Sequence, residues 1–359
     1  MQEAIDRLGD RFGVTIEAKE SRLTQTDVRL KGVQVSHEEW GSELQIDKLH
    51  FVGAHYRSGD LLHANGLAIY GLHSALDADN RLSLGALYLD AEDIEGLFMM
   101  LKSDWANWNN LITLAGVSRI EAKELVLLLE GFEVTLDRFR LDGVAIKQGL
   151  LEQARYRGEN LLLPAALFEE PGFEPLSEMG YAHLTISWED LTRFEGEQML
   201  HAKGRTLITI EEFAQLTMHL DLMDLPRDFM VLLAREDLSN QEMMAVMQIR
   251  LAAAMLDYQD KGFLSKLYGW LAREAQMEQA EFAQMLAEEI AHDLSDPQVL
   301  SKPDIEALKQ FIRHPGRIRI TAEPSEGVTF MEAAMLSAMN WPMLLERLQV
   351  HLEVEPAKP

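Results

Sequence analysis

The chain has 359 residues, 33 Lys and Arg against 59 Asp and Glu, a formal net charge of −26, no cysteine and 47% hydrophobic residues. The acidic surplus excludes a protein drawn to nucleic acid by its overall charge, which takes Lys and Arg to displace counterions from phosphates. The hydrophobic fraction excludes broad disorder, the lack of cysteine excludes disulfides and thiol chemistry, and no apolar run reaches the ~18 residues of a membrane-spanning helix.

From about Ser21 to Val35 the pattern is extended. Val28 and Leu30 alternate with polar residues, and after Gly32 so do Val33 and Val35, so the glycine reads as a bulge or turn that resets the phase. The same signature recurs at Leu44/Ile46 and Leu49/Phe51, Leu67/Ile69, Leu82/Leu84 and Leu87/Leu89, then Leu125/Leu127/Leu129. It continues through Val134/Leu136, Phe139/Leu141, Leu184/Ile186/Trp188 and Leu216 to Leu222. Gly, Asn and Asp punctuate these runs about every ten residues, the spacing of an antiparallel meander.

One interruption, near 94–115, has helical spacing, with Phe98, Trp105 and Trp108 on an apolar stripe. It predicts a helix that packs on the sheet, with a lid or interfacial anchor as the sharper alternative. Pro164 to Pro175 reads as a loop. After about Leu238 the texture turns helical: an extended stretch over Ile249 to Tyr258, one or two helices from Leu264 to Ile290, and a helix opened by Pro303 and ended by Pro315. A strand over Arg317 to Ala322 follows, then a helix with a Thr329/Glu332 capping box that stops near Asn340 to Pro342, and a strand over Val350 to Val354. The expected organisation is a β region over 1–238 and an α+β region over 239–359.

Familiar catalytic motifs are absent: no Walker loop, Rossmann glycine pattern, nucleophile elbow, paired-histidine zinc motif or EF-hand. His37, His50, His55, His63 and His73 crowd the first sheet region without ligand spacing, and read as surface or hairpin histidines. Acid pairs such as Asp221/Asp224 and Asp257/Asp260 arise by composition among 59 carboxylates. The 18 methionines read as fillers of irregular core gaps. Neither catalysis, a metal nor a cofactor is expected.

The opening residues, Gly13 to Ile16, Ser21 to Leu23 and Val28 to Val35, resemble the start of AsmA-like proteins, in a repeating β-groove group that is similar in design to TamB and YdbH. The resemblance covers roughly the first 90 residues and the strand texture to about 235. It implies a long curved antiparallel sheet whose apolar interior holds acyl chains, a periplasmic location, and tethering to the inner membrane by an N-terminal anchor that precedes this chain.

The expected fold is therefore β-rich α+β, a folded-over antiparallel sheet with a helical insertion and a C-terminal α+β part. About eight strands at ~4.8 Å make a groove of roughly 40 Å, one bilayer and no more. The expected function is non-enzymatic binding or transport of a lipid or other apolar molecule in the bacterial envelope. Val28, Leu30, Val33, Val35, Leu44, Ile46, Leu67, Ile69, Leu84, Leu127 and Val134 would line the groove, or else a closed core. The alternative is a scaffold in envelope assembly that docks through the Trp105/Trp108 helix, with Phe98 beside it. Partners would be lipid, the inner membrane and envelope proteins. On such a sheet the charge of −26 would coat the outer face with acids.

Overall fold

The computed structural model describes residues 14–36, 43–57, 61–75, 80–92, 116–147, 150–170, 172–196, 199–227, 237–293 and 301–355, together with positions 229, 232 and 357. The protein is β-rich α+β, built on long antiparallel strands with seven α-helices among the described residues. It divides into two compact units, Met1–Leu167 and Phe168–Pro359. The change of texture near 238 falls inside the second. The helical insertion near 94–115, with Phe98, Trp105 and Trp108, lies outside the described residues, as does His37.

The first unit contains β1 (Thr15–Leu23), β2 (Asp27–Ser36), β3 (Glu43–Val52), β4 (His55–Arg57), β5 (Leu61–His63), β6 (Gly66–Ala75), β7 (Arg81–Ala91), β8 (Val117–Leu129), β9 (Phe132–Lys147) and β10 (Leu150–Pro164). They lie in the order β1-β2-β3-β6-β7-β8-β9-β10, with β4 and β5 paired as a separate ribbon. Apart from that ribbon, chain neighbours are sheet neighbours, the meander that the turn spacing predicts.

The phase reset at Gly32 is one member of a line that crosses the whole sheet. Lys31 pairs with Lys48 and Val33 with Ile46, so Gly32 stands opposite Asp47. The same register carries the line from Asp47 to Gly71, Gly85, Glu124, Asp137 and Asn160. On every second strand its residue is left-handed: Gly32 (φ +57°), Gly71 (+61°), Glu124 (+53°) and Asn160 (+56°). We call this line the crease. On both sides of it the apolar side chains return to the same face, which simple alternation would forbid.

The apolar face is deeply buried on and above the crease. Val28, Leu30, Val33, Leu67, Val117, Leu141 and Ala154 belong to one core cluster, with Leu141 and Ala154 at 0% exposure. Polar side chains lie along the crease: the Asp47 carboxylate lies over Gly71, that of Glu124 over Gly85, and Asn160 Nδ2 donates to Asp137 Oδ2 at 2.8 Å.

The second unit contains β11 (His183–Glu195), β12 (Met199–Ile210), β13 (Ala214–Pro226), β14 (Arg250–Asp260), β15 (Arg317–Ala322), β16 (Val328–Thr329) and β17 (Val350–Glu355), in the order β11-β12-β13-β14-β15-β17, with β16 beside β14. Its helices are α1 (Glu174–Glu178), α2 (Asn240–Met247), α3 (Phe263–Glu274), α4 (Gln279–Asp293), α5 (Lys302–Arg313), α6 (Phe330–Met339) and α7 (Trp341–Leu348). Tyr268, Ala283, Ala287 and Ile312 pack α3, α4 and α5 together. The segment from Pro164 is a 3-10 turn over Ala165–Glu169 and then the short α1, because Pro175 sits in the first turn of α1, where its missing N–H costs nothing. Half of the expected capping box forms: Thr329 Oγ1 accepts from Glu332 N at 3.0 Å, while the Glu332 carboxylate accepts from Arg347 Nε at 2.9 Å. The methionines depart from core filling, since Met243, Met244, Met335 and Met339 are 47%, 52%, 57% and 80% exposed.

Asp257 on β14 ties β15 to the sheet. Its carboxylate accepts from Arg317 Nε at 2.7 Å, Arg317 Nη2 at 2.6 Å and Arg319 Nη2 at 2.9 Å. The Arg317 hydrogen bond is the largest influence on its pKa, which is lowered against the opposing effect of burial. Asp257→Asn is expected to cost the second unit about 2 kcal/mol near neutral pH. A carboxyl whose pKa is depressed on folding stabilises only while ionised, so the gap between variant and parent should close as pH falls below the usual carboxylate range. Urea unfolding as a function of pH, followed by circular dichroism, reads it; a gap that stays constant with pH contradicts the ionic role.

Candidate functional site

All eleven residues expected to line a groove fall on the apolar face of the first unit. Three rows follow from the register: Leu30 with Leu49 and Ile69; Val33 with Ile46, Leu72, Leu84, Leu125 and Leu136; and Val35 with Leu44, Ser74, Leu82, Leu127 and Val134. Val28 pairs with Phe51, and Phe51 with Leu67, one step beyond the first row.

Burial separates them. Val28, Leu30, Val33, Ile46, Leu67 and Leu84 are all 9% exposed or less and sit in filled core. Ile69 is half-buried against that core. Toward the strand ends below the crease the packing thins: Val35, Leu44, Leu82, Leu127 and Val134 are half-buried, and Leu129 is 41% exposed. This third row is therefore a strip of apolar side chains crossing six strands, part open and part covered.

One polar atom interrupts the strip. Ser74 is 5% exposed, and its Oγ has no hydrogen-bond partner among the described residues. A buried hydroxyl in that state carries the full cost of desolvation. It leaves a donor and an acceptor unpaired beside Leu44 and Leu82. Nothing in the sequence distinguishes this serine; its place in the apolar row comes only from the register.

Several ionisable groups elsewhere have structural partners. Asp260 accepts from Tyr258 Oη, Gly262 N and Leu264 N, each at 2.9 Å, and so caps α3; burial, followed by the Asp260 charge, pushes the Tyr258 hydroxyl far above its ordinary pKa. Asp221 meets His201, Asp224 meets Arg250, and Glu288 holds Lys309 and Arg313. His50 lies 3.6 Å from Asp27. Among the described residues no group of three metal-ligating side chains converges, and no helix is long and apolar enough to cross a membrane.

A family model described only as "Uncharacterized protein" matches residues 207–355, a stretch that runs from β12 to the end of β17 and lies wholly in the second unit. No curated protein matches the chain.

Proposed function

We propose that the protein binds a lipid or a similar apolar molecule along the half-exposed strip of the first unit, without catalysis, in lipid transport or membrane maintenance in a bacterial envelope. The observation that supports this is the gradient of burial on one face: Leu141 is fully enclosed, yet Val35, Leu44, Leu82, Leu127 and Val134, on the same face, are not. Val35 packs against the core at one end of the row, and the apolar area that the row leaves in water would gain hydrophobic and dispersion energy if covered. An acyl chain laid across the strip would complete the packing. The resemblance to AsmA-like proteins supports the envelope, periplasmic location and inner-membrane tether in this reading.

The test is native mass spectrometry of gently purified protein, before and after incubation with phospholipid vesicles. A lipid-sized adduct is expected, and Leu127→Asp with Val134→Asp should remove it while the far-ultraviolet spectrum is kept. Protein that carries no lipid in either state ends the proposal.

A second reading, an interaction protein, draws on the second unit. From Phe330 to Leu345 the sequence of α6 and α7 has one charged residue, Glu332, and Met335, Met339, Trp341 and Met343 are exposed by half or more. Such apolar surface marks contact with another molecule. Capture of a specific partner that is lost with Met339→Ser and Trp341→Ser, while lipid content is unchanged, would favour it.

A further inference from the structure

The polar face of the first unit does not carry the coat of acids that the overall charge implies. In the two register rows just above the crease, four pairs of cations stand directly opposite one another: Arg22/Arg29, Lys31/Lys48, Lys123/Arg138 and Arg140/Arg157. In the described ladders of this unit one pair of carboxylates, Glu124 and Asp137, stands opposite, and it lies in the crease. These rows hold eight cations against three carboxylates, Glu20, Glu121 and Glu159, in a chain with 33 bases to 59 acids. Like charges directly opposite across strands are destabilising, so composition alone would scatter them. Arg22 and Lys48 have no carboxylate partner among the described residues, and Arg22, Arg29, Lys31 and Lys48 are all exposed.

The neighbouring acids neutralise part of the band: Glu20 pairs with Lys31, Asp27 with Arg29, Asp142 with Arg140, and buried Glu121 with Lys123 and Arg138. Asp47 and Glu124 lie flat over glycines in the crease, and Asp137 accepts from Asn160. Eight strands at ~4.8 Å make the band about 34 Å long, and two rows make it about 7 Å wide. A linear polyanion would favour a groove that tracks its backbone. The concavity of about 600 Å³ on this face lies across the crease instead, where Glu43 and Glu133 are in its lining. A band that rides the strands of a sheet suits a surface.

We propose that this band docks the first unit on the phosphate headgroups of an anionic membrane. Arginine forks and lysine ammoniums meet phosphate through charge-assisted hydrogen bonds, and the acids of the rest of the chain are screened beyond ~8 Å at physiological salt. The inference rests on the lipid-binding reading, to which it adds where the protein meets its membrane.

The experiment is co-sedimentation of the full chain with vesicles of phosphatidylcholine alone or with about a third phosphatidylglycerol, at low and high salt, with soluble polyphosphate as competitor. The variant Arg22→Gln, Arg29→Gln, Lys31→Gln, Lys48→Gln leaves the cations around buried Glu121 in place. The control Lys203→Gln, Arg205→Gln, Lys261→Gln, Lys302→Gln makes the same change of net charge in the second unit. Binding only to the anionic vesicles is expected, lost at high salt, weakened on the order of a hundredfold in the first variant and little changed in the control. Equal weakening in both variants, equal binding to phosphatidylcholine, or tighter binding per phosphate to polyphosphate than to vesicles overturns the proposal. Lipid adducts are read by mass spectrometry on the same preparations. Loss of docking with adducts intact defeats this inference alone, and docking without any adduct defeats the cargo reading alone.

Discussion

Gly71→Val should destabilise the first unit by about 3 kcal/mol, from strain at φ > 0 and crowding at the crease. Gly71 has φ +61°, and a side chain there would run into the Asp47 carboxylate that lies over it. A β-branched residue is the worst occupant of that conformation. Urea unfolding followed by circular dichroism gives the magnitude, and hydrogen exchange in β3, β6 and β7 locates the loss. Glu124→Gly is the counterpart. Glu124 already occupies the left-handed region at φ +53°, so glycine relieves strain there while adding backbone entropy to the unfolded chain, and the two should nearly cancel, within about 0.5 kcal/mol. If Gly71→Val is tolerated as well as Glu124→Gly, the crease is not a constraint on the fold.

Glu121→Gln is the second large effect, about 2–3 kcal/mol near neutral pH. The Glu121 side chain is 1% exposed beneath Arg119, Lys123 and Arg138, all of which reach it. Burial pushes its pKa up, but hydrogen bonds from Arg119, Arg138 and Lys123 together outweigh that and hold it at about 2, against an ordinary 4.5. The sign follows from the depressed value: the stabilisation is present in full above about 4.5 and is lost as pH falls toward about 2. The parent should therefore weaken more than Glu121→Gln between pH 5 and pH 2.5, a window spanning the ordinary and depressed values. Parallel pH profiles for the two proteins would show that the carboxylate is not ionised and paired in the folded state.

Much of the fold can be read locally. Period-two runs, turn residues and the reset at Gly32 are properties of adjacent residues, and they mark the meander and one point of the crease. That Gly71, Glu124 and Asn160 lie on the same line is a matter of register, which joins residues far apart in the chain, and two of the three are not glycines. The grading of the apolar face has the same origin: Leu30 and Leu127 look alike in sequence, but one is 2% exposed and the other half-buried, depending on which row each occupies. Pro342 reads as a helix stop, yet it sits in the first turn of α7. Asn340 ends α6, with its N–H on Leu336 O, and begins α7, with its Oδ1 accepting from Met343 N. The basic band was hidden by a net charge of −26, which is a sum and carries no positions.

The strip itself can be asked directly what it touches. A photo-crosslinking benzophenone residue placed in turn at Leu44, Leu127, Leu141 and Gln45 samples the open strip twice, the filled core once and the polar face once. After illumination in the presence of vesicles of phosphatidylcholine alone, lipid adducts are expected at Leu44 and Leu127 and not at Leu141 or Gln45. Adducts at all four positions alike, or at none, would contradict a lipid bound along the half-exposed strip.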